Sequence, residues 1–254
     1  MPAYYSEFDP YAAQWLRNLI AAGHIAPGDV DERTIEDVHP DDLRPYTQCH
    51  FFAGIGVWSH ALRRAGWADD RPVWTGSCPC QPFSSAGEGA GFDDPRHLWP
   101  HFAWLIRERR PPVVFGEQVA SKAVGPWIDL VHANLEALGY AFGAVAFPSA
   151  GVGAPHIRDR TYWVADYYCD GCKQSNPLLF AGGPNKAGRD PTWRLPWDDL
   201  ERHECPDGKI RLRKPGLSLL APGDTGELDQ LRAYGNALNA EAATQFIAAY
   251  LESI

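Results

Sequence analysis

The sequence predicts an α/β fold: one mostly parallel sheet covered by helices on both faces, with a small irregular module attached. Up to about residue 168, short apolar runs typical of buried strands alternate with segments of helical period. From about residue 169 the chain becomes rich in Gly, Pro, Trp and charged residues without helical period. With 254 residues and 45% hydrophobic content, the chain is long enough for one such domain and a small appendage.

The first predicted element is a helix that begins after Asp9. Asp is a good N-cap and Pro is tolerated in the first turn, so Asp9-Pro10 is a typical helix opening. Apolar residues recur at helical spacing from residue 12 to residue 20, and Gly23 suits the helix end. This helix is expected to bury one face.

Five later segments have the composition of strands. The first, TQCHFF, breaks into a Gly-X-Gly turn at Gly54 and Gly56, and a helix follows that ends near Gly66. The others are RPVWTG, VVFGEQV, YAFGAVAF and TYWVADYY, with helices expected at 97–110, before residue 138 and at the C-terminus. Because ligands of parallel sheets bind at the carboxyl ends of the strands, chemistry is expected at that edge.

Charge and targeting signals narrow the class of protein. A net charge of −9 argues against a protein that coats nucleic acid with its whole surface, although 202–216 is locally basic. The first residues have neither a basic start nor an apolar run, so no signal peptide or membrane anchor is expected and a cytoplasmic location is predicted. Six cysteines in such a chain indicate thiols or metal ligands rather than disulfides.

Five segments together resemble the DNA cytosine-5 methyltransferases: FFAGIG, PCQPFS, GEQV, HIRDR and YGNAL. The position of Cys80 between Pro79 and a Gly/Ser-rich loop is weak evidence for a nucleophile on its own, because structural cysteines are common. Together with the other four segments, it gives a resemblance that covers most of the chain. The resemblance implies a Rossmann-like S-adenosylmethionine-dependent methyltransferase sheet, double-stranded DNA as substrate, and no obligate protein partner or membrane.

The resemblance also implies a domain division and four catalytic residues. Residues 1–168 would form the catalytic domain, 169–226 a target-recognition module, and 227–254 a C-terminal segment whose helix packs back on the catalytic domain. Cys80 would be the thiolate that adds to C6 of a flipped-out cytosine and makes C5 nucleophilic. Glu117 would hold N3 and the exocyclic amine, and Arg158 and Arg160 would orient the base at O2.

The donor site follows from the same resemblance. A Gly-X-Gly turn lets the backbone approach a bulky ligand, although a plain tight turn is the alternative reading. The donor-binding residues implied in the recurring motifs are Phe52, Ala53, Gly54, Ile55, Gly56, Pro79 and Asn236.

The order of the motifs predicts a circular permutation. In the family, two strand and helix units separate the Gly loop from the Pro-Cys loop, but here only residues 57–78 do. The missing units resemble the N-terminal segments, so Glu7 would bind the donor ribose, Phe8 would pack on the adenine and Asp29 would approach its amino group. An unrelated amphipathic hairpin is the alternative. A right-handed crossover from the Gly-loop strand to the Pro-Cys strand could place the intervening helix on the opposite sheet face, so either the sheet order differs from the usual family arrangement or the helix packs elsewhere.

Three residues depart from the family pattern: Gln118 replaces Asn, His156 replaces Gln, and His50 replaces Asp. Gln118 is expected to affect the hydrogen bonding that supports Pro79 and Cys80. A non-catalytic DNA-binding relative, or the same chemistry on RNA or with another transferred group, are the alternative functions.

A possible metal site falls in the irregular module. It consists of the pair Cys169 and Cys172 and the pair His203 and Cys205, with a loose spacing between the two pairs. These residues could bind zinc or could be free thiols in a loop-rich region, and no metal is assigned to them.

Overall fold

A computed structural model describes residues 2–79, 98–121, 124–167, 201–204, 210–213 and 237–254. The strands are β1 Ala3–Ser6, β2 Gly28–Asp31, β3 Gln48–Phe51, β4 Val73–Gly76, β5 Val113–Val119, β6 Tyr140–Pro148, β7 Asp159–Tyr167, β8 Glu201–Glu204 and β9 Ile210–Arg213. The α-helices are α1 Pro10–Ala21, α2 Val57–Arg64, α3 Trp99–Arg109, α4 Gly125–Ala137 and α5 Ala240–Ser253. Short 3-10 helices occupy Ile35–Asp37, Pro40–Leu43 and Ser149–Val152.

Seven strands form one sheet in the order β2-β1-β3-β4-β5-β7-β6. The first five are parallel, and β7 runs antiparallel to both β5 and β6. This arrangement confirms the predicted α/β class with a mostly parallel sheet. Within the irregular module, β8 and β9 pair as a separate antiparallel ribbon.

Helices cover both faces of the sheet. On the first face, Leu16 of α1 packs against Tyr5, and α2 and α5 pack against Val73 and Phe115. On the second face, α3 and α4 pack against a cluster that includes Tyr4 and Trp74. Residues paired in register point to the same side of a parallel sheet, and successive residues of a strand point to opposite sides. Tyr5 therefore marks the first face and Tyr4 the second, and the helices that pack with each of them lie on that face.

The crossover from β3 through α2 to β4 has an unusual hand. It uses the first face, like the crossover from β1 through α1 to β2, but it moves toward the opposite edge of the sheet. The connection from β4 to β5 moves in the same direction as β3 to β4 but places α3 on the second face. The β3-α2-β4 unit is therefore of opposite hand to both others. About 98% of such crossovers are right-handed. The β3-α2-β4 unit departs from this rule, because α2 packs on the same face as α1.

Side-chain caps fix where two helices begin. Asp9 accepts hydrogen bonds from the backbone N–H groups of Tyr11 and Ala12, which confirms the predicted start of α1. Asn239 caps α5 in the same way. An ion pair between the exposed Arg64 and the buried Glu241, at 2.9 Å, joins α5 to α2, so the C-terminal helix is tied to the element that follows the Gly loop.

The described residues contain no helix long and apolar enough to cross a membrane.

Candidate active site

The carboxyl ends of β3, β4 and β5 lie side by side and form the edge that carries the predicted motifs. β3 ends in the Gly loop, β4 leads into Ser77, Cys78 and Pro79, and β5 ends with Glu117, Gln118 and Val119. β7 begins at the same edge because it runs antiparallel to β5, and its Arg160 is opposite Val119. The sheet thus brings the Pro-Cys, Glu and Arg segments together.

Glu117 is buried and forms an ion pair with Arg160. Arg160 Nε lies 2.6 Å from Glu117 Oε1, and both side chains are largely shielded from solvent. Burial raises the pKa of Glu117, while the positive charges of Arg160 and Arg158 act in the opposite direction. The carboxyl group of Glu117 therefore protonates more readily than that of an exposed glutamate, and it lies at the edge formed by the carboxyl ends of the strands.

Arg158 reaches toward the C-terminal segment. Its guanidinium Nη2 donates to the carbonyl of Ala237 at 2.6 Å, and its backbone has a φ of 36°, in the left-handed region. Ser149 holds the local backbone, because its N–H donates to the carbonyl of Ile157 at 2.7 Å. Asn236, the neighbour of Ala237, lies outside the described residues, so its donor-binding role stays a prediction.

Gln118 supports the backbone that leads to the predicted nucleophile. Its Nε2 donates to the carbonyl of Cys78 at 3.0 Å, and its Oε1 accepts from Val119 N at 2.9 Å. The longer side chain that replaces the family's Asn therefore still makes a hydrogen bond to the Pro-Cys loop. The side chain of Cys78 itself is buried in the core cluster on the second face. Cys80 lies outside the described residues.

The Gly loop between β3 and α2 has the left-handed backbone conformations expected of a close turn. Phe52, Gly54 and Gly56 all have positive φ values, of 52°, 54° and 76°. A Cβ at Gly56 would lie 3.0 Å from Leu16 Cδ2, whereas one at Gly54 would meet nothing within 4 Å. Gly56 is needed for packing against α1, and Gly54 leaves open space in front of the loop.

The N-terminal residues contribute to the same edge. Glu7 follows β1 directly, and its Oε2 accepts from Gly54 N at 2.6 Å while its Oε1 accepts from Asp9 N at 2.9 Å. Burial raises the pKa of Glu7, although these two N–H groups lower it. Phe8 next to it is 72% exposed. The structure therefore brings the carboxylate of Glu7 to the Gly loop; the packing of Phe8 on adenine stays a prediction.

Asp29 lies further from the edge than Glu7. It is opposite Tyr4 in β1, three residues before Glu7, and its carboxylate accepts from the hydroxyl of Tyr46 at 2.9 Å. The carboxyl end of β2 is Asp31, which Arg33 and Tyr4 hydrogen-bond. The approach of Asp29 to a bound adenine stays a prediction.

The two histidines that depart from the family pattern differ in setting. His50 is buried in β3, its Nδ1 lies 2.8 Å from Thr75 Oγ1, and burial lowers its pKa to about 3. A neutral His50 does not replace the negative charge of an Asp. His156 is exposed near Arg158, and partial burial and that cation lower its pKa.

Ser77 and Trp58 also belong to the site, and sequence reasoning missed both. The indole Nε1 of Trp58 donates to Ser77 Oγ at 3.0 Å, and the hydroxyl of Ser77 lowers the pKa of Glu117 as a hydrogen-bond donor. The register Gly76 to Gly116 places Ser77 beside Glu117. That register is a property of the folded sheet, so only an assumed pairing of β4 with β5 could have revealed this contact.

Among the residues that the structure describes, no group of three or more His, Cys, Asp or Glu side chains could hold a metal ion. Cys169, Cys172 and Cys205 lie outside those residues, and only the backbone of His203 is described. The choice between zinc and free thiols there stays open.

The central part of the chain is similar to known proteins. Residues 68–167 match the family described as C-5 cytosine-specific DNA methylase. The type II methyltransferase M.HhaI of Haemophilus parahaemolyticus is 34% identical over 99 residues, which are 37% of this chain and 30% of that protein. M.MspI of Moraxella sp. is 30% identical over 136 residues, 50% of this chain and 32% of that protein. The chain thus spans about a third of the length of these curated relatives.

A solved structure is similar in part. The DNMT2 of Spodoptera frugiperda aligns with a TM-score of 0.44 and 16% identity, over 65% of this chain and 42% of that one.

Proposed function

We propose that this chain, whose residues 68–167 match the C-5 cytosine-specific DNA methylase family, transfers a methyl group from S-adenosylmethionine to C5 of cytosine in double-stranded DNA. The observation that carries the proposal is the buried Glu117–Arg160 pair. It lies beside Ser77, at the start of the short stretch that leads through Pro79 to Cys80. A carboxyl group and a fixed guanidinium next to a thiol-bearing loop are the groups that addition to a cytosine ring requires.

The chain's own residues account for the activation of the base. The thiolate of Cys80 forms a bond to C6, and the electrons of the C5–C6 double bond become available at C5. Protonated Glu117 donates to N3, which prevents negative charge from accumulating on the ring. Arg158 and Arg160 hold the base and the carboxylate in orientation. After methyl transfer, the N3 proton returns to Glu117 and a water molecule takes the proton from C5. The C6–sulfur bond then breaks, so the C5–C6 double bond forms again and Cys80 leaves as the thiolate.

The residues around the Gly loop fit S-adenosylmethionine. When bound, this cofactor supplies an electrophilic methyl group and leaves as a neutral thioether. Gly54 leaves open space for its backbone to approach a ligand. Each oxygen of the Glu7 carboxylate accepts one backbone hydrogen bond and retains a lone pair for a ribose hydroxyl. The exposed ring of Phe8 suits the flat face of adenine.

We also propose that the chain is circularly permuted relative to its family. The family match begins at residue 68, after the Gly loop, and Glu7, which precedes that loop in the sequence, makes a hydrogen bond to Gly54. The unusual hand of the β3-α2-β4 crossover supports the same reading. If α2 kept its place on the sheet while the two following units moved to the front, the new connection to β4 would have to take that hand.

Replacing Glu7 by alanine is expected to weaken donor binding by about tenfold to a hundredfold, because hydrogen bonds to a charged group contribute roughly 1.5–3 kcal/mol. Titration calorimetry with S-adenosylmethionine on the purified protein measures this change. Glu32→Ala is the matched control, since Glu32 is an exposed carboxylate that contacts Arg17. An unchanged dissociation constant for Glu7→Ala would contradict both the ribose assignment and the permuted donor site.

We propose that the target cytosine is read and flipped with the help of the module at 169–226. The basic residues at 202–216 suit contacts to phosphates and base edges. A chain that acts on DNA with this donor fits the cytoplasmic location that the sequence predicts.

The function is tested by expressing the protein in cells whose DNA lacks 5-methylcytosine and sequencing the plasmid DNA after bisulfite treatment. The proposal predicts protected cytosines at a recurring sequence. A parallel incubation with labelled donor and either duplex DNA or RNA separates the substrates. Label in RNA alone, or donor binding without transfer to either nucleic acid, would contradict the proposal.

A further inference from the structure

The serine before the Pro-Cys loop lies between a buried tryptophan and the candidate catalytic carboxylate. Trp58 Nε1 donates to Ser77 Oγ at 3.0 Å. Ser77 follows Gly76, as Glu117 follows Gly116, so the two side chains are neighbours on one face of the sheet, and the hydroxyl of Ser77 lowers the pKa of Glu117 as a hydrogen-bond donor. The parallel register of β4 and β5, Gly76 to Gly116, sets these two residues side by side at the edge of the sheet.

The direction of the two hydrogen bonds follows from the chemistry of the three groups. An indole N–H can only donate, so Trp58 occupies one of the two acceptor sites of the Ser77 hydroxyl. The hydroxyl keeps its single proton, which it donates to a carboxyl oxygen of Glu117. A hydrogen bond in this direction favours the ionised carboxylate and lowers the pKa of Glu117. The result is a one-way relay from Trp58 through Ser77 to Glu117.

The start of this relay is fixed by packing. Trp58 is 2% exposed, and its ring lies 6.1 Å from that of Phe115 and 6.2 Å from that of Tyr162, measured between centroids. Phe115 and Glu117 are two residues apart in β5, so they point to the same face of the sheet. The indole is thus held by the residues that flank the carboxylate that the relay serves.

We propose that Ser77 is a positioning residue for Glu117, an inference that rests on the proposed function. Arg160 Nε lies 2.6 Å from Glu117 Oε1 and pairs with it. The hydroxyl of Ser77 is a second donor, on the side of β4. Two donors from different strands stop the carboxyl group from rotating, which keeps it directed at the base. Because Ser77 is only three residues before Cys80, the same contact couples the carboxylate to the strand end that carries the thiol.

The test replaces Ser77 by alanine, with Ser77→Thr as the variant that keeps the hydroxyl and Trp58→Phe as the one that removes only the indole donor. For Ser77→Ala we expect kcat to fall about tenfold and the KM values for DNA and donor to stay within about twofold, because the lost contact serves orientation in the reaction. The limb of the kcat profile that reports Glu117 should move to higher pH, since the Ser77 hydrogen bond lowers the pKa of Glu117. Ser77→Thr should restore both values, and Trp58→Phe should shift them in the direction of Ser77→Ala.

A second readout separates this inference from the proposed function. The titration of Glu117, followed by carbon NMR on protein with labelled glutamate, does not need turnover. A higher pKa in Ser77→Ala supports the relay even if the wild type transfers no methyl group, in which case the proposed function alone fails. An active wild type whose Glu117 titration and kcat are unchanged in Ser77→Ala would overturn the inference. A loss of kcat that Ser77→Thr does not restore would overturn it as well.

Discussion

Replacing Cys80 by alanine is expected to abolish methyl transfer, by more than about a thousandfold, while the affinity for S-adenosylmethionine stays unchanged. Without the thiolate, no group of the chain adds to C6, and C5 of cytosine does not become nucleophilic. In the proposed site, donor binding depends instead on the Gly loop and on Glu7, which are joined by a hydrogen bond that does not involve Cys80. Transfer of labelled methyl groups to duplex DNA and a donor titration measure the two quantities.

Cys49→Ala is the matched control for this experiment. Cys49 is buried in β3 within the core on the second face of the sheet, where no DNA base can reach it. Its replacement should reduce stability rather than the rate of transfer. A Cys80→Ala protein that methylates DNA at the wild-type rate would show that the chemistry does not use this thiol.

Replacing Glu117 by glutamine is expected to lower kcat by about 10²–10⁴-fold, the range typical of a lost general acid. The amide keeps the size of the side chain but cannot protonate N3. Burial raises the pKa of Glu117 against the effect of Arg160 and Arg158. In the wild type, kcat should therefore fall as pH rises through this pKa, because only the protonated carboxyl donates.

The pH profile of kcat tests this assignment directly. Glu117→Gln should lack the limb at which the rate falls with rising pH. Glu108→Gln is the control, since Glu108 is exposed and forms an ion pair with its neighbour Arg107. A glutamine variant with full activity and the wild-type profile would remove Glu117 from the reaction.

Most strands of the sheet could be predicted from the sequence, but β1 and β2 could not. β5 and β7 have apolar stretches, β3 runs into the Gly-X-Gly turn, and Asp9-Pro10 marks the start of α1. β1 and β2 have four residues each, and β2, Gly28–Asp31, has only one apolar residue, so neither stands out as a strand. Their pairing with β3 depends on contacts between residues distant in sequence.

The hand of the β3-α2-β4 crossover shows the same limit. The general rule for such units predicts that α2 lies on the second face, but α2 packs with α5 and Phe115 on the first. The buried Trp58 and the Arg64–Glu241 pair favour that side. Here tertiary packing outweighs the usual preference.

In the site, the proximity of Glu117 and Arg160 could be predicted from the sequence, because both residues lie in segments that resemble family motifs. Ser77 has no such pattern, and its role depends on the register of two parallel strands. The hydrogen bond from Gln118 to Cys78 could likewise be anticipated only as a change in length, since its partner is a backbone carbonyl.

The most direct test of the account is to incubate the protein with S-adenosylmethionine and duplex DNA in which the target cytosine carries fluorine at C5. After methyl transfer to such a ring, no proton is left to be removed from C5, so the enzyme cannot release the base. The account predicts a protein–DNA complex that survives denaturation, has the mass of the protein plus one methylated strand, and is linked through Cys80. Methylation of ordinary cytosine by a protein that forms no such complex, or a link through another residue, would contradict it.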